Sequence, residues 1–192
     1  MCVAPRPNIV AVIGDGTVSQ GSRAWGLAEE LGERLVDAGY RVLSGGLGGV
    51  MEAVSRGARR SASHAPGMVI GLLPGDEPGA ANAYVDVSIA TGLGHLRNSL
   101  VAHADAVVAI GGGAGTLSEI ALAWIHRRMV LAYRVEGWSG RLAGSRLDDR
   151  VRFASIPDDE VFGVDSAEEA IALLQQRLEE FASARLAGSP VR

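Results

Sequence analysis

Short apolar runs rich in β-branched residues alternate with longer segments of helical period along most of the chain. Asn8 to Ile13 (NIVAVI) is the first such run, ending in Gly14-Asp15-Gly16; Trp25, Leu27, Ala28, Leu31, Leu35 and Val36 then recur at helical spacing until Gly39. Tyr40 to Leu43 predicts a second strand, and Gly45-Gly46-Leu47-Gly48-Gly49 opens a helix over 50–60. Met68 to Leu73 predicts a third strand, Ala83 to Ala90 a fourth with the weak alternation of an edge. His95 to Ala104 has helical spacing, and Ala106 to Ile110 is the most hydrophobic strand candidate, followed by a glycine loop and a helix through Ile120 and Trp124. Met129 to Tyr133 predicts a strand, Gly137 to Asp149 a surface loop, Val151 to Ser155 a last short strand, and Ser166 caps a final helix ending near Ala184. Strand and helix in regular alternation imply a doubly wound, Rossmann-like α/β fold with a parallel sheet and helices on both faces. Ligands in such folds bind beyond the carboxyl ends of the strands, where three glycine loops fall here. At 192 residues one domain is expected, over 1–185, with a tail at 186–192.

Composition narrows the chemistry. All 18 cationic residues are arginine, so neither a P-loop nor a pyridoxal Schiff base can be built. A net charge of −4 and a pI of 5.6 provide no basic footprint for nucleic acid. The single cysteine, Cys2, has no disulfide partner, no apolar stretch is long enough to span a bilayer, and MCVAPRPN does not read as a signal peptide. The cytoplasm is the expected location, with no membrane partner. The four histidines show no paired metal spacing, so no metal is expected; His95 alone is a pocket candidate, and the others read as surface residues.

Glycine is abundant, 26 residues, and its placement carries the functional signal. Gly14-Asp15-Gly16, with Ser19 where a third glycine would fall, is a degraded GxGxxG that reads either as a tight turn or as a ligand-facing loop. The second strand ends in Ser44-Gly45-Gly46 rather than the acid a dinucleotide ribose requires, which argues against NAD. Gly111 to Glu119 (GGGAGTLSE) is the strongest segment: its glycines admit a ligand to the backbone, and the helix that follows points free N–H groups at an anion. Gly112, Gly113, Ala114, Gly115 and Thr116 are the expected phosphate cradle, with Glu119 one turn further on. The helix end is expected to favour an ionised Glu119 at neutral pH.

GGGAGTLSE resembles the PGGxGTxxE signature of the Lonely Guy family, once mislabelled as lysine decarboxylases, with Gly111 in place of the proline. Gly45 to Met51 resembles the family's GGGxxGLM segment. Gly94-His95-Leu96-Arg97-Asn98 stands where the family carries MHxRK; Arg97 matches, and Asn98 replaces the lysine. The likeness runs through residues 8–135. It implies a Rossmann-like, commonly dimeric protein that hydrolyses the N-glycosidic bond of nucleoside 5′-monophosphates such as cytokinin nucleotides or AMP. Arg97 and Glu119 then fall on the two catalytic positions, and Gly14, Asp15, Gly16, Gly45, Gly46, His95 and Asn98 on ligand-facing ones. The same superfamily includes molybdenum cofactor carrier proteins, which are similar in the GGGxGT loop and an Arg-Asn pair and bind a phosphate-bearing pterin without consuming it. The expected partner is therefore a nucleoside monophosphate or another phosphate-bearing small molecule, with no cofactor. A homodimer or higher homo-oligomer is implied, with Leu122, Trp124 and Ile125 as candidate contacts.

Overall fold

A computed structural model of the chain describes residues 7–187; Cys2 and the last five residues lie outside it. Seven parallel strands form one sheet in the order β4-β3-β2-β1-β5-β6-β7, with β1 Ile9–Gly14, β2 Arg41–Ser44, β3 Val69–Leu73, β4 Val87–Ala90, β5 Ala106–Ile110, β6 Met129–Tyr133 and β7 Val161–Val164. The helices are α1 Arg23–Asp37, α2 Val50–Arg60, α3 Asn98–Val101, α4 Ala114–Ile125, α5 Trp138–Leu142 and α6 Ala167–Ala187. The expected doubly wound fold is the one observed.

The sheet's pleat sorts side chains into two cores. Ala106, Val108 and Ile110 of β5 face a cluster shared with α1, α2 and α6, whereas Val107 and Ala109 face one shared with α3 and α4. All five β5 residues are buried, as a strand covered on both sides requires, while Val87 and Ile89 of edge strand β4 are exposed. The chain leaves β1 toward one face and β5 toward the other. Because β1 and β5 are neighbours, in register from Val10↔Ala106 to Gly14↔Ile110, their outgoing loops separate and open a cleft above the sheet.

Five expectations need correction. Residues 151–155 form no strand: Val151 is exposed, and Phe153 turns inward to meet Phe181 of α6 edge-to-face. The sheet's last strand is instead β7, begun after Asp158-Asp159-Glu160. Its approach is fastened by a buried pair in which the Arg152 guanidinium donates to both Asp159 carboxylate oxygens and also to the carbonyls of Trp124 and Arg128. The expected loop after Gly137 contains α5, and the expected helix over 95–104 divides into a 3-10 turn, Gly94–Arg97, and the single turn α3. The final helix does start at its Ser166 cap, whose hydroxyl accepts from the Glu169 N–H, but it runs to Ala187 and takes in the start of the expected tail. His64 also departs from the surface reading, as it is half-buried and bonded to Asp86 at 3.0 Å.

α1 and α2 cross at backbone contact, with Gly32 under the Val54 carbonyl and Gly57 under the Glu29 carbonyl, so neither site has room for a β-carbon. Gly26, on the same α1, faces open space. Gly57→Val is therefore expected to cost about 3 kcal/mol by overpacking, whereas Gly26→Ala gains about 0.5–1 kcal/mol from helix propensity. Urea unfolding of both variants checks the opposite signs.

Candidate functional site

β5 delivers Gly111-Gly112-Gly113 to the cleft. Gly113 is the N-cap of α4, no side chain caps the helix, and its first turn carries no acid, which leaves the first-turn N–H groups and the positive helix end for an anion. Gly112 has φ +91° and lies directly on Thr116 Oγ1, so the tight loop demands glycine there. The loop is clamped from α5: Ser139 Oγ accepts from the Gly111 N–H at 2.7 Å and donates to the Tyr133 carbonyl at 2.8 Å. The N–H groups of Trp138 and Ser139 donate to the carbonyls of Gly112 and Gly111. A serine wholly buried in a segment without hydrophobic period thus holds the cradle in shape.

Arg97, at the end of the 3-10 turn, reaches across to Glu119 in the second turn of α4. Its Nη1 donates to Glu119 Oε1 at 2.8 Å, with the two side chains 10% and 9% exposed. The guanidinium lies against Gly45, where a β-carbon would overlap it and come within 2.7 Å of Met51 Sδ. Next door, Asn98 Nδ2 donates to Ser118 Oγ at 2.8 Å, and Ser118 Oγ donates to the Gly115 carbonyl at 2.7 Å, tying the start of α3 to the first turn of α4. Burial, the larger influence, pushes the Glu119 carboxyl above its ordinary value; the charge and hydrogen bond of Arg97 pull it back only in part. The buried Arg97 Nε has no hydrogen-bond partner among the described residues.

These groups line one cleft of about 210 Å³ together with Gly14, Asp15, Gly16, Gly45, His95, Asn98, Gly113, Gly115 and Thr116. Three expected site residues lie off it. Gly46 packs on Gly71 and Leu73, and its carbonyl accepts from Asn82, so it shapes the β2 loop. Ala114 contributes no surface to the cleft, and Gly112 faces a neighbouring depression. Val12, Ile13 and Met51 complete the lining without having been candidates; Met51 ends the segment matched to GGGxxGLM, which was its sequence signal. Gly14 has a packing role too, since a β-carbon there would overlap the Ile110 carbonyl. Among the described residues no three His, Cys, Asp or Glu side chains are grouped to hold a metal ion, and no helix is long and apolar enough to cross a membrane.

Comparison with known proteins places this geometry in a family. The chain is 39% identical over 115 residues to an uncharacterized protein of Archaeoglobus fulgidus, covering 59% of this chain and 72% of that one. It is 30% identical over 123 residues, 60% of its length, to a probable cytokinin riboside 5′-monophosphate phosphoribohydrolase of Oryza sativa subsp. japonica, of which it spans about half, 51%. Among solved structures it matches the molybdenum cofactor binding protein of Rippkaea orientalis with a TM-score of 0.72 and 32% identity, covering 89% of this chain and 97% of the other. The molybdenum cofactor carrier protein of Chlamydomonas reinhardtii matches with a TM-score of 0.71 and 28% identity, over 91% and 99%. The SLOG cluster4 family matches residues 7–171, and the chain belongs to that family, within the Lonely Guy and molybdenum cofactor carrier-like group.

Proposed function

We propose that the chain holds the phosphate of a nucleoside 5′-monophosphate at the α4 N-terminus and hydrolyses the N-glycosidic bond, releasing a free base and ribose 5-phosphate. The observation that carries this reading is the buried Arg97–Glu119 pair, which opens onto the same cleft as the uncapped helix end. An ionised Glu119 accepts hydrogen bonds from ribose hydroxyls through Oε2, stabilises positive charge developing at C1′ and orients the attacking water. As the C1′–N bond breaks, its electrons pass to the base, which takes up a proton; water supplies the hydroxyl at C1′. Arg97 fixes the substrate against the carboxylate.

The second reading is a carrier that binds a phosphate-bearing pterin or nucleotide without cleaving it. It is favoured by the likeness to the two molybdenum cofactor proteins, which spans 97% and 99% of their chains, and by Asn98 in place of the lysine of MHxRK. Assembly is proposed as a homodimer through the face of the 3-10 turn, α3 and α4, where Leu96, Leu100 and Ile125 are exposed. Trp124 does not join that face. It is buried, donates to Asp148 and lies under the Arg152 guanidinium.

Incubation with AMP and other monophosphates, followed by chromatography for free base, divides the two readings. Hydrolysis predicts that Glu119→Gln keeps nucleotide affinity and loses about 100-fold or more in turnover. Because the ionised carboxylate is the working form, turnover should rise with pH through a Glu119 pKa lying above the ordinary carboxylate value, and Glu119→Gln should erase that limb. Tight AMP binding without adenine release over hours, unaltered in Glu119→Gln, favours the carrier. For assembly, Leu96→Asp with Ile125→Asp should convert a dimer into a monomer by light scattering; a wild-type monomer at micromolar concentration removes the proposal.

A further inference from the structure

The glycine run that leaves β5 has no side chain of its own to hold its shape. Gly111 and Gly112 both have positive φ, +63° and +91°, and glycine is the residue with the most backbone freedom to lose. A loop that ordered only around its ligand would give up affinity to that ordering. The parts that fix it come from residues 135–140, none of which lines the Arg97–Glu119 cleft. Gly137 sits so close that a β-carbon there would overlap the Gly111 carbonyl carbon and the Gly112 nitrogen, and Gly140 sits as close to the Val135 carbonyl, which brings the first turn of α5 onto the loop.

The direction of the loop's peptides follows from these contacts. The N–H groups of Ser139 and Trp138 hold the carbonyls of Gly111 and Gly112 at 3.0 Å each. In a trans peptide the C=O and the N–H that follows it point in opposite directions, and the loop's peptides are trans. Anchoring both carbonyls on α5 therefore turns the N–H groups of Gly112 and Gly113 away from it. Two successive N–H groups so directed make an anion-binding concavity, and Gly113 lies on the cleft. Ser139 supplies a further anchor, because its fully buried Oγ accepts from the Gly111 N–H and donates to the Tyr133 carbonyl, joining the start of the loop to the end of β6.

We infer that Ser139 is a positioning residue for the phosphate-bearing ligand: without touching it, Ser139 fixes the direction of the Gly112 and Gly113 N–H groups and so sets the anion affinity of the cradle. Removing the hydroxyl leaves a buried donor on Gly111 and a buried acceptor on Tyr133 unmet, and the glycines between them have the freedom to turn until those groups are satisfied. The ligand then meets a loop that it has to order. This rests on the α4 cradle being the phosphate site, and it is independent of whether Glu119 performs hydrolysis.

Inorganic phosphate, titrated against the full chain by calorimetry and followed by 1H–15N NMR, tests the inference without any assumption about the base. Wild type should bind phosphate and shift the Gly112 and Gly113 amides. Ser139→Ala should weaken phosphate about 10-fold and alter the saturating shifts of those two amides. Ser139→Cys, of similar size but with a weaker donor and acceptor, should fall between the two; where Ser139→Ala does not fold, the Cys variant alone must show a loss of about 3-fold. Ser61→Ala removes another buried hydroxyl, one that donates to Asp37 and accepts from the Ser63 N–H just past the end of α2 remote from the cleft, and should keep wild-type affinity. Phosphate bound by Ser139→Ala within about 2-fold of wild type, or weakened as much by Ser61→Ala, overturns the role of Ser139 and leaves the cradle standing. A wild type that binds no phosphate overturns the cradle and the inference together.

Discussion

The adjacency of β1 and β5 is the constraint on which the site depends. Two parallel strands at hydrogen-bonding distance, followed by helices on opposite faces, cannot bring their outgoing loops together, so the sheet opens there. The approach of Gly14 to the Ile110 carbonyl holds the two strand ends side by side. From that point the remaining parts are placed by ordinary packing. α4 starts at the cleft because β5 ends there, and the β2 loop closes one wall because Gly49 lies on the backbone of Asp15 and Gly16.

Backbone proximity recurs as the reason for glycine in this chain, and it accounts for the unusual content better than ligand contact alone. Gly32 and Gly57 serve the α1–α2 crossing, Gly14 and Gly49 the meeting of loops, and Gly46 the packing of the β2 loop on β3. Only part of the glycine excess faces ligand. Composition suggested ligand loops, and the loops are present, but their sequences look alike whether a glycine admits a phosphate or a neighbouring carbonyl. Gly46 shows the ambiguity: it follows the cleft residue Gly45 yet packs on β3, away from the cleft.

Periodicity read the elements that bury a whole face. β1, β2, β3, β5 and β6 are apolar runs enclosed on both sides, and α1, α2, α4 and α6 carry stripes long enough to count, so all were legible. The region between Tyr133 and the start of α6 was not, because its order comes from single long-range contacts rather than from a repeating face. Ser139 closes α5 onto the Gly111 loop, Arg152 meets Asp159, and Phe153 fills a gap beside Phe181; none of these leaves a period in the sequence. The apolar pair Val151 and Phe153 imitates a strand, yet one is exposed and the other buried against Phe181 of α6. The site divides similarly. Glu119 and Thr116 were identifiable by residue type and spacing and Arg97 by the resemblance of residues 94–98 to MHxRK, whereas the hydrogen bonds from Asn98 to Ser118 and from Ser118 to Gly115 appear only once the chain is folded.

A buried ion pair such as Arg97–Glu119 is a poor device for stability, since removing two charges from water costs several kcal/mol per ion and a well-packed apolar pair of similar volume often does as well. The buried Arg152–Asp159 pair has a structural compensation: both carboxylate oxygens and two backbone carbonyls accept from the arginine, so its donors are used and the approach to β7 is held in place. Arg97 has no such compensation. One hydrogen bond joins it to Glu119, its buried Nε has no acceptor among the described residues, and the carboxyl is pushed toward its neutral form. Two arginines in one small domain, both buried beside an acid, therefore differ in how fully they are satisfied. The unsatisfied one faces the cleft, beside an uncapped helix end with the same unmet demand for an anion. The phosphate-bearing ligand of the proposed function would meet both deficits at once, a demand that a glycine-rich turn alone does not create.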